Sequence, residues 1–191
     1  MEFLVFQHAP AEHPGAFRDH WRAAGIRWNP VELEAGELPP ADLHRYDALV
    51  VMGGPQDVWQ TDVYPWLAPE MNTIRRWVRD LRRPYLGVCL GHQLLAQSLG
   101  GHVGLAREAE IGAFPVELTA DAQSDALLRG LGSPLTVFQW HGAEVQRLPA
   151  GAVLLARSNL CGVQAMRVGS HAWGVQFHSE LTKDTVAEWH D

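Results

Sequence analysis

A cysteine lies between two glycines where the chain changes from a strand-like to a helix-like pattern with no polar loop between. The apolar run Tyr85–Val88 ends at Cys89, and a helical pattern follows over residues 90–101. Gly87 and Gly91 are small enough to let the backbone fold closely beneath a sharp strand-to-helix turn. Such a turn projects its side chain beside the helix N-terminus, which acidifies a thiol and stabilises an oxyanion. The pattern predicts that Cys89 is a nucleophile.

A base for this nucleophile is predicted near the C-terminal end of the chain. The extended run WGVQFH ends at His178, and Glu180 follows two positions later. Residues two apart in an extended segment point to the same side, so Glu180 can orient the imidazole. Cysteine, histidine and carboxylate together follow the logic of a Ser-His-Asp triad. The expected chemistry is thiolate attack on an amide, with His178 protonating the departing amine.

The elements that must position these residues alternate along the first half of the chain. The extended runs are 3–7, 26–33, 46–54 and 83–89, and the helical patterns are 14–25, 66–81 and 90–101. This alternation predicts a doubly wound, mostly parallel sheet with helices on both faces. Pro30 places the second strand at an edge, because proline cannot donate a hydrogen bond to a neighbouring strand.

The pattern changes after Gly101, where short extended runs are joined by brief turns. These runs are 111–119, 135–141, 152–159, 161–169 and 171–178. They predict antiparallel strands added to the parallel sheet, with one short helix at 124–130. A last helical pattern, 181–191, stops early, which is consistent with a missing C-terminal tail. With no linker or repeat in the sequence, residues 1–191 are predicted to form a single domain.

Composition excludes several classes of protein. The 191 residues carry a formal net charge of −7 and are 47% hydrophobic, which argues against disorder and against binding to nucleic-acid phosphates. Two cysteines cannot form a disulfide framework, and no apolar run approaches the roughly 20 residues that span a bilayer. The sequence therefore predicts a cytoplasmic protein that binds neither nucleic acid nor membranes.

Neither a metal nor another cofactor is expected. The ten histidines show no H-E-x-x-H motif and no Cys/His pairs at zinc spacing. Cys161 is predicted to be a buried structural cysteine. His92, inside the helix after the nucleophile, is predicted to be packed or hydrogen-bonded rather than catalytic.

Three motifs together resemble the class I glutamine amidotransferase family. They are GGP at residues 53–55, GVCLGHQ at residues 87–93 and GVQFHSE at residues 174–180. Their order and spacing agree with the family, and the likeness covers nearly the whole chain. It is strongest to stand-alone members similar to the glutaminase part of GMP synthase, and it implies a flavodoxin-like fold. One departure is Ser179, where the family very often has proline.

The resemblance implies a role for each residue of the site. Cys89 would be the nucleophile, His178 the base and acid, and Glu180 the orienting carboxylate. Backbone N–H groups would form the oxyanion hole. Gln93, one helical turn after the nucleophile, would touch the α-amino-acid end of the substrate, and the backbone of the segment 140–142 would bind the same end. The oxyanion-hole residues are Gly54 and Leu90, and the substrate-binding residues are Gln93, Trp140, His141 and Gly142.

Three functions are compatible with this sequence. The first is a glutaminase that supplies ammonia to a synthetase partner, since the chain itself has nothing like a P-loop. The second is a free-standing hydrolase of γ-glutamyl peptides or γ-glutamyl amides, and the third is a catalytically idle binding or regulatory domain. The intact set of Cys89, His178 and Glu180 disfavours the third, and glutamine is the default substrate. Trp59 and Trp66 are expected near the mouth of the site.

Overall fold

The described part of the chain forms nine strands and three α-helices. The computed structural model describes residues 1–182 and residue 185, so most of the helix predicted for 181–191 lies outside the described residues. The strands are β1 Glu2–Gln7, β2 Arg27–Glu32, β3 Ala48–Val51, β4 Tyr85–Val88, β5 His102–Leu118, β6 Leu135–Arg147, β7 Ala152–Arg157, β8 Ala165–Val168 and β9 Ala172–Val175. The helices are α1 Phe17–Ala23, α2 Leu67–Arg75, which continues as π-helix over Arg76–Leu81, and α3 Leu90–Ser98. Within the described residues, no helix is long and apolar enough to cross a membrane.

These strands form one mixed sheet in the order β2-β1-β3-β4-β9-β8-β7-β5-β6. The first five strands in this order pair in parallel, and the remaining pairs are antiparallel. β2 lies at the edge, as its proline predicts. The doubly wound, mostly parallel sheet with added antiparallel strands is therefore confirmed.

β1 shows how both faces of the sheet are covered. Leu4 and Phe6 are fully buried and belong to the core cluster that contains residues of α2 and α3. Val5, which lies between them, packs in a different cluster with Trp21 of α1. Successive side chains of a strand point to opposite faces, so α1 covers one face and α2 and α3 cover the other.

The carboxyl ends of three adjacent strands bring the sequence motifs together. β4 pairs with β3 on one side and with β9 on the other, all in parallel. Gly53 and Gly54 follow β3, Cys89 follows β4, and His178 follows β9. In a doubly wound sheet this edge is where ligands bind.

The second half of the chain differs in detail from its prediction. β5 spans 17 residues and pairs with β6 in a long hairpin, although the first half of this strand lies outside the predicted extended runs. The helix predicted at 124–130 is wrong, because a short 3-10 helix over Asp121–Ser124 ends where this segment begins and residues 126–130 form turns. Asp125 has extended backbone angles, and its carboxylate accepts hydrogen bonds from Leu127 N (2.8 Å) and Arg167 Nε (2.7 Å). These contacts compete with a helical turn.

Candidate active site

Cys89 occupies the sharp turn between β4 and α3. Its φ of 49° and ψ of −103° are strained for a residue with a side chain. A Cβ on Gly87 would lie 2.4 Å from the Gly91 backbone, and one on Gly91 would lie 2.1 Å from Val51 O, so both positions require glycine. The strained turn is held in part by a 2.9 Å hydrogen bond from Cys89 N to Val175 O.

His178 and Glu180 form a buried pair just beyond β9. His178 Nδ1 lies 2.7 Å from Glu180 Oε1, and the two residues are 5% and 1% exposed. Because an ionised carboxylate only accepts hydrogen bonds, Nδ1 is the donor. The backbone is held on both sides, by His178 N donating to Phe138 O at 2.9 Å and by Ala16 N donating to Glu180 O at 2.7 Å.

The environment of His178 favours its charged form. Burial lowers the pKa of His178, but the charge of Cys89, a hydrogen bond with Cys89 and the adjacent Glu180 together raise it well above its usual value. An imidazolium beside a thiol stabilises the thiolate, which is the reactive form of cysteine. The imidazole therefore links the carboxylate to the sulfur.

A buried glutamine that the sequence prediction missed also contacts the sulfur. Gln176 Nε2 lies 3.6 Å from Cys89 Sγ, and Gln93 Nε2 donates to Gln176 Oε1 at 3.1 Å and to Ala143 O at 3.0 Å. Gln93 therefore positions Gln176 as well as lining the site. The signal for Gln176 is its place two residues before His178 in an extended run, which puts both side chains on one side.

A cavity of about 510 Å³ opens in front of the sulfur. The predicted residues in its wall are Gly54, Cys89, Leu90, Gln93, Trp140, His141 and Gly142. Polar residues that the prediction did not include are Glu12, Gln56 and Asp57. His178 and Glu180 are not among the lining residues, and the imidazole reaches the site through Cys89. The structure thus brings all nine predicted residues to one place.

Gly54 and Leu90, whose N–H groups are predicted to form an oxyanion hole, lie next to each other. A Cβ on Gly54 would lie 2.9 Å from Leu90 Cδ2, so the two residues are in close contact. In the part of the chain that the structure describes, no backbone hydrogen bond outside the regular elements uses either N–H. Leu90 begins α3, where the first N–H groups have no partner within the helix.

A second buried histidine, His8, contacts the backbone of the turn that contains Gly53 and Gly54. His8 Nδ1 lies 2.7 Å from Gly53 O, and its Nε2 lies 2.9 Å from Glu70 Oε1, with both side chains fully buried. Burial lowers the pKa of His8, but the charge and hydrogen bond of Glu70, together with the hydrogen bond to Gly53 and the charge of Glu12, raise it above its usual value. Trp66 stacks on this imidazole at 5.5 Å. Neither Trp66 nor Trp59 is among the residues that line the cavity, although Asp57, two positions before Trp59, is.

His141 has its ring engaged by the protein itself. Its nitrogens lie 3.1 Å from Glu110 Oε2 and 3.0 Å from Ala143 O. Burial lowers the pKa of His141 more than these two contacts raise it. A substrate contact of His141 would therefore be made by its backbone, as the family resemblance implies.

Glu110, His141 and Cys161 place atoms of metal-ligand type within 4.8 Å of one another. Both carboxylate oxygens of Glu110 already accept hydrogen bonds, Oε1 from Ser158 Oγ and Oε2 from Gln164 Nε2. Burial raises the pKa of Cys161, which keeps its thiol protonated. The arrangement supports the cavity wall through hydrogen bonds, and Cys161 is buried as predicted.

Residues 21–187 match the family model of glutamine amidotransferase class-I. This segment contains all three motifs that converge on the cavity. The chain belongs to the class I glutamine amidotransferase family.

Curated relatives of this class I amidotransferase have several names. The glutamine amidotransferase-like protein YfeJ of Salmonella typhimurium is 36% identical over 192 residues, covering 97% of this chain and 77% of YfeJ. One subunit of the glutamine-hydrolysing GMP synthase of Methanosarcina acetivorans is 35% identical over 71% of this chain and 65% of its own length. Gamma-glutamyl peptidase 5 of Arabidopsis thaliana is 32% identical over 86% of this chain and 66% of its own length.

Solved structures of the family show the same fold. A glutamine amidotransferase from Thermotoga maritima superposes with a TM-score of 0.91 at 30% identity, covering 99% of this chain and 80% of that protein. The similarity confirms the fold class predicted from the alternating pattern and the three motifs.

Proposed function

We propose that this amidotransferase-family chain hydrolyses the γ-carboxamide of glutamine through a thioester on Cys89. The observation that carries the proposal is the strained turn that presents Cys89 to His178, whose other nitrogen is held by Glu180. Relatives named for glutamine hydrolysis and for cleavage of γ-glutamyl bonds support the choice of bond.

Acylation would begin with attack of the Cys89 thiolate on the γ-carbonyl carbon. Gln176 Nε2, 3.6 Å from the sulfur, stabilises the thiolate before attack. The oxyanion that forms would be held by the N–H groups of Gly54 and Leu90. The C–N bond then breaks as the proton of His178 moves to the leaving nitrogen.

Deacylation would use the same residues in reverse roles. His178, now neutral, removes a proton from water, which attacks the thioester and releases glutamate and free Cys89. Glu180 holds the ring in place through both half-reactions. The α-amino-acid end of the substrate would contact Gln93 and the backbone of 140–142, which line the cavity.

A larger leaving group is the second candidate, favoured by the size of the site. The cavity, at about 510 Å³, is in the range of pockets that hold drug-sized molecules. γ-Glutamyl peptides or other γ-glutamyl amides would use the same triad. The similarity to the GMP synthase relative favours a different context, in which a synthetase partner receives the ammonia.

The test is glutamate release by the purified chain from glutamine and from γ-glutamyl dipeptides. Cys89→Ala should lower the rate by about 10⁴-fold or more, and Cys161→Ala, which removes the other thiol, should retain activity. Faster turnover of dipeptides would indicate a free-standing hydrolase, and slow turnover of glutamine alone would indicate a partner. Wild-type turnover in Cys89→Ala would contradict the proposal.

A further inference from the structure

An acid that the proposed mechanism does not use lies beside the catalytic histidine. Glu12 lines the same cavity as Cys89. Oxygen atoms of Glu12 and Glu180 and a ring nitrogen of His178 all lie within 4.8 Å of one another. Among the described residues, Glu12 Oε2 is buried and has no hydrogen-bond partner. A buried oxygen without a donor is costly, so a ligand that supplies one would be stabilised here.

The segment that carries Glu12, residues 9–16, is held firmly against the triad. Glu12 N donates to Ala9 O at 3.1 Å, and Ala16 N donates to Glu180 O at 2.7 Å. Gly15 has a φ of 47°, and a Cβ there would lie 2.0 Å from Glu180 O. The fold therefore brings this carboxylate to the histidine before any substrate binds.

Gly53 leaves the room that Glu12 occupies. A Cβ at this position would lie 2.3 Å from Glu12 Oε2 and 3.2 Å from His178 Cε1. The side chains of Glu12 and His178 therefore both pack against the backbone of Gly53, which carries no side chain. The next residue, Gly54, belongs to the proposed oxyanion hole, so Glu12 lies close to where the γ-carboxamide would react.

A second acceptor without a donor lines the same cavity. Gln56 is 4% exposed, and its Nε2 donates to His8 O at 3.2 Å. In the described part of the chain its Oε1 is buried without a partner. Two acceptors of this kind, one of them a carboxylate, favour a ligand group that donates several hydrogen bonds and can carry positive charge.

A γ-glutamyl substrate offers two such nitrogens, the α-amino group and the leaving nitrogen. The leaving nitrogen must lie within reach of His178, which protonates it. Glu12 lies beside His178, whereas the α-amino-acid end is assigned to Gln93 and the backbone of 140–142. The position of Glu12 beside His178 therefore favours the leaving nitrogen over the α-amino group as its partner.

We propose that Glu12 receives the amine that leaves the substrate, gives it a second proton and holds it as an ammonium-type cation. The inference rests on the proposed hydrolase function and specifies its product: ammonium, or the cation of a primary amine, rather than neutral ammonia. After His178 has protonated the nitrogen and the C–N bond has broken, the neutral amine takes the proton of the Glu12 carboxyl. The resulting carboxylate pairs with the cation until it departs, and then regains a proton from solvent.

The electrostatics of Glu12 support this role. Burial raises the pKa of Glu12 and the charge of Glu180 adds to this, whereas the charges of His178 and His8 lower it, and the net direction is upward. A neutral amine beside the thioester would attack it and re-form the substrate. A protonated amine has no free electron pair, so Glu12 leaves the thioester to water.

The experiment measures how the thioester divides between amine and water. Wild type and Glu12→Gln turn over glutamine in the presence of ¹⁵N-ammonium, and ¹⁵N incorporated into glutamine is divided by glutamate released. We expect Glu12→Gln to raise this ratio by about tenfold or more, the value of a hydrogen bond to a charged group. The ratio does not depend on how much of the variant is folded. Asp57→Asn removes another acid of the same cavity and should leave the ratio unchanged.

Two outcomes would overturn the inference. An equal ratio in wild type and Glu12→Gln would show that Glu12 does not control the leaving amine, while the proposed hydrolysis would stand. A wild-type chain that neither releases glutamate nor incorporates ¹⁵N would remove the proposed function, and this inference with it.

Discussion

Two buried histidine–glutamate pairs, His178–Glu180 beside Cys89 and His141–Glu110 at the cavity wall, differ in what the second ring nitrogen contacts. His178 is 2.7 Å from Glu180, and His141 is 3.1 Å from Glu110. The remaining nitrogen of His178 faces Cys89, whereas that of His141 contacts a backbone carbonyl oxygen. The pKa of His178 is raised well above its usual value, and that of His141 is lowered.

The difference shows that a His–Glu pair alone does not identify an active site. Burial is the largest influence on both pKa values and lowers each of them. The sulfur of Cys89 reverses the outcome for His178, because its negative charge stabilises the imidazolium. The thiol near His141, that of Cys161, is kept protonated by burial and supplies no such charge, and the His141 ring supports the cavity wall instead. The chemistry of this site depends on the strained turn as much as on the pair.

The largest expected effect separates the two pairs directly. Glu180→Gln should lower the rate of glutamate release by about 10²- to 10⁴-fold, since the imidazole loses its orienting carboxylate. Glu110→Gln should stay within about tenfold of wild type in rate, although it should lower the free energy of unfolding by about 1–3 kcal/mol. Steady-state kinetics and urea denaturation of both variants measure these changes.

Each variant is the control for the other, because both replace a buried carboxylate by an amide of nearly the same shape. If folded Glu110→Gln were as inactive as Glu180→Gln, the distinction between a catalytic and a supporting pair would be wrong.

A histidine without a carboxylate sharpens the comparison further. His92 is fully buried, its Nε2 lies 3.2 Å from Val163 O, and burial lowers its pKa to about 4. The unfolded chain takes up this proton near pH 6.5, so stability present above that pH should be lost as pH falls towards 4. The loss should reach about 3 kcal/mol. His178 has the opposite sign, because its contribution is lost as pH rises through its raised pKa.

Urea denaturation between pH 4.5 and 7 measures the slope of the free energy of unfolding against pH. His92→Gln, which keeps a donor for Val163 O, should flatten it. A slope unchanged by the substitution would show that His92 does not titrate between these values.

Local pattern was sufficient to predict the turn and the sheet. The contact that forces glycine at position 87 is with Gly91, four residues later, so it is visible in a short stretch of sequence, whereas glycine at position 91 is forced by Val51 O on the neighbouring strand. The alternation of strands and helices, which is visible in residues close together in the sequence, likewise predicts a parallel sheet. The helix predicted at 124–130 failed for a reason that is partly non-local, because the carboxylate of Asp125 accepts hydrogen bonds both from Leu127 N and from Arg167 on a distant strand.

The missed site residues depend on contacts that sequence spacing does not report. Glu12 reaches His178 because residues 9–16 fold back onto Glu180, and a lone glutamate between β1 and α1 gives no sign of this. The pair His8 and Glu70 is separated in the same way, by two strands and a helix. Only Gln176 had a local signal, its position two residues before His178.

His8 and Glu70 form a third pair, and the smallest expected effect tests it. His8 Nδ1 contacts Gly53 O, and in a trans peptide the Gly54 N–H points the opposite way, towards the proposed oxyanion. Since Glu70 raises the pKa of His8, it strengthens this hold on the peptide. Glu70→Gln should therefore lower kcat by about tenfold with little change in KM, less than the loss of a whole oxyanion donor. A change in KM alone would indicate that His8 acts in substrate binding and would contradict its support of the oxyanion hole.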